Sequence, residues 1–150
     1  MSTAFIHMGL GGQNPRPKTN RERISMVVVD DSPVYQQLVC SLMEFEDDFD
    51  VVGRADDGTE ALKVVQKLRP QLVLMDVNMP HMNGLETAKT IAGCFPEIKI
   101  ALMSIEDSTH LREKIMTSGA HAFVGKRRFR EDFAIAVEQL FFDDVPPGAA

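Results

Sequence analysis

Three carboxylates, a hydroxyl and an ammonium stand at or just past the ends of apolar runs in this 150-residue chain. Asp30 and Asp31 follow Met26-Val27-Val28-Val29, and Asp76 follows Leu72-Val73-Leu74-Met75. Ser104 follows the run from Ile98 to Met103, and Lys126 comes shortly after Ala122-Phe123-Val124. Three clustered carboxylates cannot all stay ionised and unpaired. A hard divalent cation resolves that conflict, and Mg²⁺ typically takes one or two carboxylates together with waters and phosphate oxygens. A neighbouring lysine and hydroxyl suit phosphate oxygens, the first as a point charge and the second as a donor. A carboxylate can itself attack a phosphoryl group and become an aspartyl phosphate. These residue types therefore point to Mg²⁺-assisted phosphoryl transfer onto an aspartate. Neither GxxxxGK[ST] nor GxGxxG occurs, so the phosphoryl donor is expected to come from outside.

The elements that must position these groups follow from local pattern. Short β-branched or apolar runs at 26–29, 49–53, 71–75, 98–103 and 122–124 predict five strands, the first and third of them buried. Between them lie helical stretches with recognisable starts: Ser32-Pro33, Asp56-Asp57-Gly58, Asn83 with Glu86 three residues on, and Glu106-Asp107-Ser108. Leu38, Leu42 and Phe45 are expected to line the first helix, and Ala61, Leu62, Val65 and Leu68 the second, which Pro70 ends. Gly119 is the expected C-cap of the fourth helix, and Phe133, Val137, Leu140 and Phe141 the apolar face of the fifth. Strict alternation of strand and helix means a parallel sheet with helices on both faces. The expected fold is an α/β, flavodoxin-like (βα)5 domain with strand order 2-1-3-4-5. That order makes strands 1, 3, 4 and 5 neighbours, and ligands bind beyond their carboxyl ends.

Composition bounds the function. A net charge of −6 and a pI near 5.2 disfavour nucleic-acid binding through a broad basic surface. The apolar runs fall short of the ~20 residues of a membrane span, and no signal peptide pattern is present, so a cytoplasmic protein without membrane attachment is expected. Cys40 and Cys94 have no metal-ligand spacing and read as small apolar residues in a reducing compartment. The four histidines show no ligand spacing either. Residues 1–23, with Gly9, Gly11, Gly12, Pro15 and Pro17, read as a disordered tail. Residues 24–142 read as one domain and 143–150 as a short coil. Only 24 residues follow Lys126, so no effector domain is expected after the sheet.

Asp30-Asp31, the segment MDVNMPHMNG around Asp76, Ser104 and Lys126 together resemble the receiver domain of two-component response regulators. The resemblance covers residue 24 to about 142 and is to a stand-alone receiver, with the pair Asn78 and Glu106 similar to that of some stand-alone chemotaxis regulators. It implies that Asp76 accepts a phosphoryl group from a sensor histidine kinase or a phosphotransfer protein. It implies Mg²⁺ held by Asp31, Asp76 and the backbone carbonyl of Asn78, with Asp30 acting through a metal-bound water. Lys126 would contact the phosphoryl group and Ser104 would bond to it after transfer. Phe123 stands at the family's switch aromatic. Its turning inward would change the surface of the fourth helix, fifth strand and fifth helix, where a downstream protein would bind. Asn78 and Glu106 occupy the two positions that tune phosphoryl lifetime. Such a domain catalyses only its own phosphorylation and dephosphorylation and is not a metabolic enzyme.

Taken singly, each motif has an ordinary reading: Asp30-Asp31 as a cap with a surface charge, Ser104 as a cap, Lys126 as a surface lysine, Phe123 as core. The order and placement of the Asp, Ser and Lys motifs set those aside, whereas Phe123 reads as core unless two states show it moving. One departure stands out. The family usually carries proline after the lysine, joined by a cis peptide, whereas here Arg127 follows. A cis bond before a non-proline residue costs ~3–4 kcal/mol. Either a trans peptide with an altered loop or a strained cis bond is expected, and with a trans peptide the placement of Lys126 is no longer given by the resemblance. The run Lys126-Arg127-Arg128-Phe129-Arg130 also sits before a helix start, where the dipole disfavours cations, and Glu131 and Asp132 partly offset it. Two alternatives remain: a degenerate receiver that binds partners without phosphate, and a Mg²⁺-dependent phosphohydrolase, although the DxDGT pattern of one such family is absent.

Overall fold

Strand and helix alternate through the computed structural model, which describes residues 22–142. The expected N-terminal tail, Glu22 and Arg23 apart, and the expected C-terminal coil lie outside the described residues. The strands are β1 (Ile24–Val29), β2 (Phe49–Ala55), β3 (Leu72–Asp76), β4 (Lys99–Ser104) and β5 (Ala122–Gly125). The helices are α1 (Pro33–Met43), α2 (Gly58–Leu68), α3 (Gly84–Cys94), α4 (Thr109–Thr117) and α5 (Phe129–Val137). All pairings are parallel and the sheet order is β2-β1-β3-β4-β5, the flavodoxin-like order expected from sequence.

Side chains alternate across each strand, so the sheet buries two cores. Met26, Val28, Leu72, Leu74, Met103 and Val124 pack with α1 and α5 on one face. Val27, Val29, Val73, Met75, Ile100 and Leu102 pack with α2, α3 and α4 on the other. That double burial is why β1, β3 and most of β4 read as continuous apolar runs, whereas the edge strand β2 alternates buried and exposed residues. Helix starts follow the expected caps: Ser32, Asp57, Asn83 and Ser108 each accept a hydrogen bond from the backbone N–H three residues on. The fourth helix ends at Thr117 with Ser118, not the expected Gly119, as its C-cap, and Gly119 takes the left-handed conformation just past it at φ +93°.

Two sequence expectations need correction. The buried face of α1 is Gln36, Val39, Cys40 and Met43, not Leu38, Leu42 and Phe45. Leu38 and Phe45 are each 50% exposed, while Leu42 only flanks the core. A polar residue on the inward stripe disguised it. Gln36 is buried because its amide donates to the carbonyls of Asp30 and Ala55 and to Asp56 Oδ1, which satisfies it. The second correction concerns α5, which opens at Phe129, inside the basic run expected to precede the helix start. Phe129 is buried, stacked at 5.2 Å on Phe133, and this packing outweighs the unfavourable position of Arg130 at the helix start. A π-helical turn at Glu138–Phe142 then carries Leu140 and Phe141 against the α1/α5 core.

Candidate functional site

Sheet register brings the strand-end groups to one edge. Val29 pairs with Met75, so Asp30 and Asp76 follow on adjacent strands. Asp76 is level with Met103, and Ser104 with Gly125, so Ser104 and Lys126 follow one step later. Asp30 is fully buried and Asp76 is 5% exposed, whereas Asp31 faces solvent. One carboxylate oxygen from each of Asp30, Asp31 and Asp76 falls within 4.8 Å of the others.

Each carboxylate is held by local backbone. Asp30 Oδ1 accepts from the Ser32 N–H at 2.8 Å, and Asp76 Oδ1 from the Asn78 N–H at 3.1 Å. Pinning of Asp76 continues through its backbone. Val77 donates to the Met103 carbonyl, and Gly84 donates to the Val77 carbonyl at 2.9 Å. A Cβ on Gly84 would collide with the Asp76 carbonyl and come within 2.8 Å of Val77 Cα, so only glycine lets α3 start this close.

Lys126 enters from the opposite side with its side chain only 9% exposed. Its Nζ donates to Asp76 Oδ2 at 3.1 Å. It also stands 2.8 Å from Asp30 Oδ2, a close ion pair without the alignment of a hydrogen bond. Burial alone would lower the lysine pKa, but the two carboxylates outweigh it and the net shift is upward. Burial raises Asp76 above the usual carboxylate value, against the opposing pull of Lys126 and of the Asn78 N–H. Three carboxylates against one ammonium leave an excess of negative charge in a confined, all-oxygen donor set. A hard divalent cation fits that set on charge and on ligand type.

Ser104 is buried, and its Oγ accepts from the Glu106 N–H at 3.0 Å, which leaves the hydroxyl hydrogen free to donate elsewhere. Glu106 is exposed, with its carboxylate taking the Ser108 hydroxyl, and Asn78 is exposed at the rim. Phe123 is half-buried under the Arg112 guanidinium, 4.9 Å from its ring centroid, on the face formed by α4, β5 and α5. Peptide bonds among the described residues are all trans, so Lys126-Arg127 is trans, and Lys126–Arg128 forms a single 3-10 turn. Lys126 nevertheless reaches both carboxylates.

Sequence reasoning passed over Tyr35. It lies three residues after the Ser32 cap, on the helix turn nearest the strand ends, and that spacing was the available signal. Its ring centroid stands 4.2 Å from Lys126 Nζ. Burial, then Asp30 and Asp76, raise its phenol well above the ordinary value, so the ring stays neutral.

A sheet of this order with an acidic cluster and a lysine at its carboxyl edge defines a receiver-type domain. The family model for the response regulator receiver domain matches residues 26–138, and the chain belongs to that family. It is 30% identical over 109 residues to the transcriptional regulatory protein DegU of Brevibacillus brevis, covering 73% of this chain and 46% of that one. It is 41% identical over 106 residues to protein-glutamate methylesterase/protein-glutamine glutaminase 3 of Paramagnetospirillum magneticum, covering 71% of this chain and 30% of that one. Among solved structures, the signal receiver domain of NarL from Mycobacterium tuberculosis superposes with a TM-score of 0.74 at 28% identity, covering 80% of this chain and 97% of that one. The chain thus spans less than half the length of these two curated relatives. No helix among the described residues is long and apolar enough to cross a membrane.

Proposed function

We propose that this receiver takes a phosphoryl group onto Asp76 from a histidine kinase or phosphotransfer protein and signals by binding a protein partner in that state. The observation that carries the reading is the buried Asp76 carboxylate, held by Lys126 and the Asn78 N–H beside two further carboxylates. In the reaction an Asp76 oxygen attacks phosphorus, a new O–P bond forms, and the N–P bond to the donor histidine breaks as the imidazole leaves. Asp31, Asp76 and the Asn78 carbonyl would hold Mg²⁺ directly, with Asp30 contributing through a water. When bound, Mg²⁺ neutralises carboxylate and phosphoryl oxygens that would otherwise repel. Lys126 offers its ammonium to the incoming phosphoryl oxygens, and Ser104 has an O–H to donate to them.

Output is proposed at the face of α4, β5 and α5, with Phe123 as the moving aromatic. Asn78 and Glu106 stand at the exposed rim, where water would approach the aspartyl phosphate, and are assigned its lifetime. The domain catalyses only its own phosphorylation and dephosphorylation. Incubation with acetyl phosphate and Mg²⁺, read by intact mass, tests the proposal. A gain of one phosphoryl group, lost in Asp76→Asn, is expected. Mg²⁺ binding with no phosphoryl uptake would favour a phosphate-independent binding module, and catalytic turnover of a phosphomonoester would favour a phosphohydrolase.

A further inference from the structure

The turn after Lys126 is the part of the site least constrained by its own sequence. It is trans, it carries three consecutive cations, and among the described residues neither N-cap, Gly125 or Arg128, supplies a side-chain cap; the Asp132 carboxylate fastens only the Gly125 N–H before it. Lysine has a long, flexible stem, so something outside the turn must aim it. Two contacts of Tyr35 do this. Its ring face meets the Lys126 ammonium at 4.2 Å, and its ring edge meets Phe129 at 6.3 Å in a T-shaped contact. Lys126 opens the turn and Phe129 follows it, so one side chain braces both of its ends. Phe129 is in turn stacked on Phe133, which packs on Phe49 of β2. The chain of rings anchors the turn in the α1/α5 core.

The chemistry of the ring matters as well as its bulk. An ammonium has three N–H donors. Asp76 takes one and Asp30 faces the ion closely, while the ring attracts the remaining charge through its quadrupole without accepting a directed bond. The cation is held in place yet its donors stay free to turn toward phosphoryl oxygens. The phenol oxygen is buried and has no hydrogen-bond partner among the described residues, so the contact with Lys126 runs through the ring rather than the hydroxyl. The geometry points to Tyr35 as the positioning residue for Lys126, acting through its ring and standing in for the constraint that a proline after the lysine would otherwise supply. The inference rests on the proposed phosphoryl chemistry for its consequence, but not for the contact itself.

Two readouts keep the contact and the chemistry separate. The first is NMR of the full chain without any phosphodonor. Lys126 Nζ lies over the Tyr35 ring, 4.2 Å from its centroid, so the adjoining ε-methylene protons are expected to feel the ring current and to lie upfield of those of exposed Lys63 in the wild type. Tyr35→Phe should keep that shift and Tyr35→Leu should lose it. The second is the rate of phosphoryl uptake from acetyl phosphate. Tyr35→Phe should match the wild type, and Tyr35→Leu should be slower by roughly 10- to 100-fold, the scale of a misplaced catalytic group. An unshifted Lys126 signal in the wild type would overturn the inference without any variant. So would a Tyr35→Leu protein as fast as the wild type, or a Tyr35→Phe protein as slow as Tyr35→Leu. If the wild type takes up no phosphoryl group, the functional reading fails while the NMR comparison still decides the contact. Tyr35→Met replaces Tyr35→Leu should the latter not fold.

Discussion

The backbone N–H of Gly125, one residue before Lys126, donates to Asp132 Oδ2 at 2.9 Å. The bond ties the end of β5 to the first turn of α5 across the trans loop, so an acidic residue that suits the helix dipole also closes the turn. Asp132→Ala should destabilise the domain by about 1.5–3 kcal/mol, as for a lost charge-assisted hydrogen bond. It should also slow phosphoryl uptake, because the strand end that carries Lys126 is loosened. Asp132→Asn keeps an acceptor oxygen and should lose less than half as much. Chemical denaturation beside an uptake assay checks both, and equal losses in the two variants would count against the bond.

Asp76 is a carboxylate whose surroundings disfavour its ionised form, mainly through burial. Its folded pKa lies above its unfolded value, so it contributes stability that is present at low pH and lost as pH rises through the folded value. At neutral pH in EDTA, Asp76→Asn should therefore be more stable than the wild type, at roughly 2–8 °C in midpoint for each kcal/mol relieved. The gap should shrink as pH falls toward the ordinary carboxylate value of 3.8. A gap that stays constant or widens on acidification would show that the ionised carboxylate is not under stress. Thermal unfolding across pH 4–8, an experimental range around the carboxylate value, reads the difference.

Asp31 is the exposed member of the acidic cluster and makes no ion pair among the described residues, so removing its charge disturbs little else. If it is a Mg²⁺ ligand, the wild type should gain about 1.4 kcal/mol of stability at ten times the dissociation constant for Mg²⁺. Asp31→Asn should lose most of that gain while unfolding normally in EDTA. An unchanged Mg²⁺ response in the variant would take Asp31 out of the ligand set.

Much of this protein was legible in the chain because the governing signals are local. Runs such as Met26–Val29 and Leu72–Met75 make strands that must be buried on both faces. Ser32, Asp57, Asn83 and Ser108 announce helix starts through bonds that reach only three residues. Alternation of the two elements then forces a parallel sheet, and the residues just past its strands converge at one edge. Asp30, Asp76, Ser104 and Lys126 could be named on that basis. Tertiary structure alone decided what depends on residues far apart in sequence. It chose the inward face of α1, where a satisfied Gln36 replaced the apolar residue that periodicity leads one to expect. It placed Phe129 in the core and so began α5 within a basic run. It set Tyr35 over an ammonium 91 positions later and aimed that ammonium at two carboxylates through a trans turn. Contacts between separate elements leave no periodic trace in either segment, and their energies appear only once the sheet has brought those segments together.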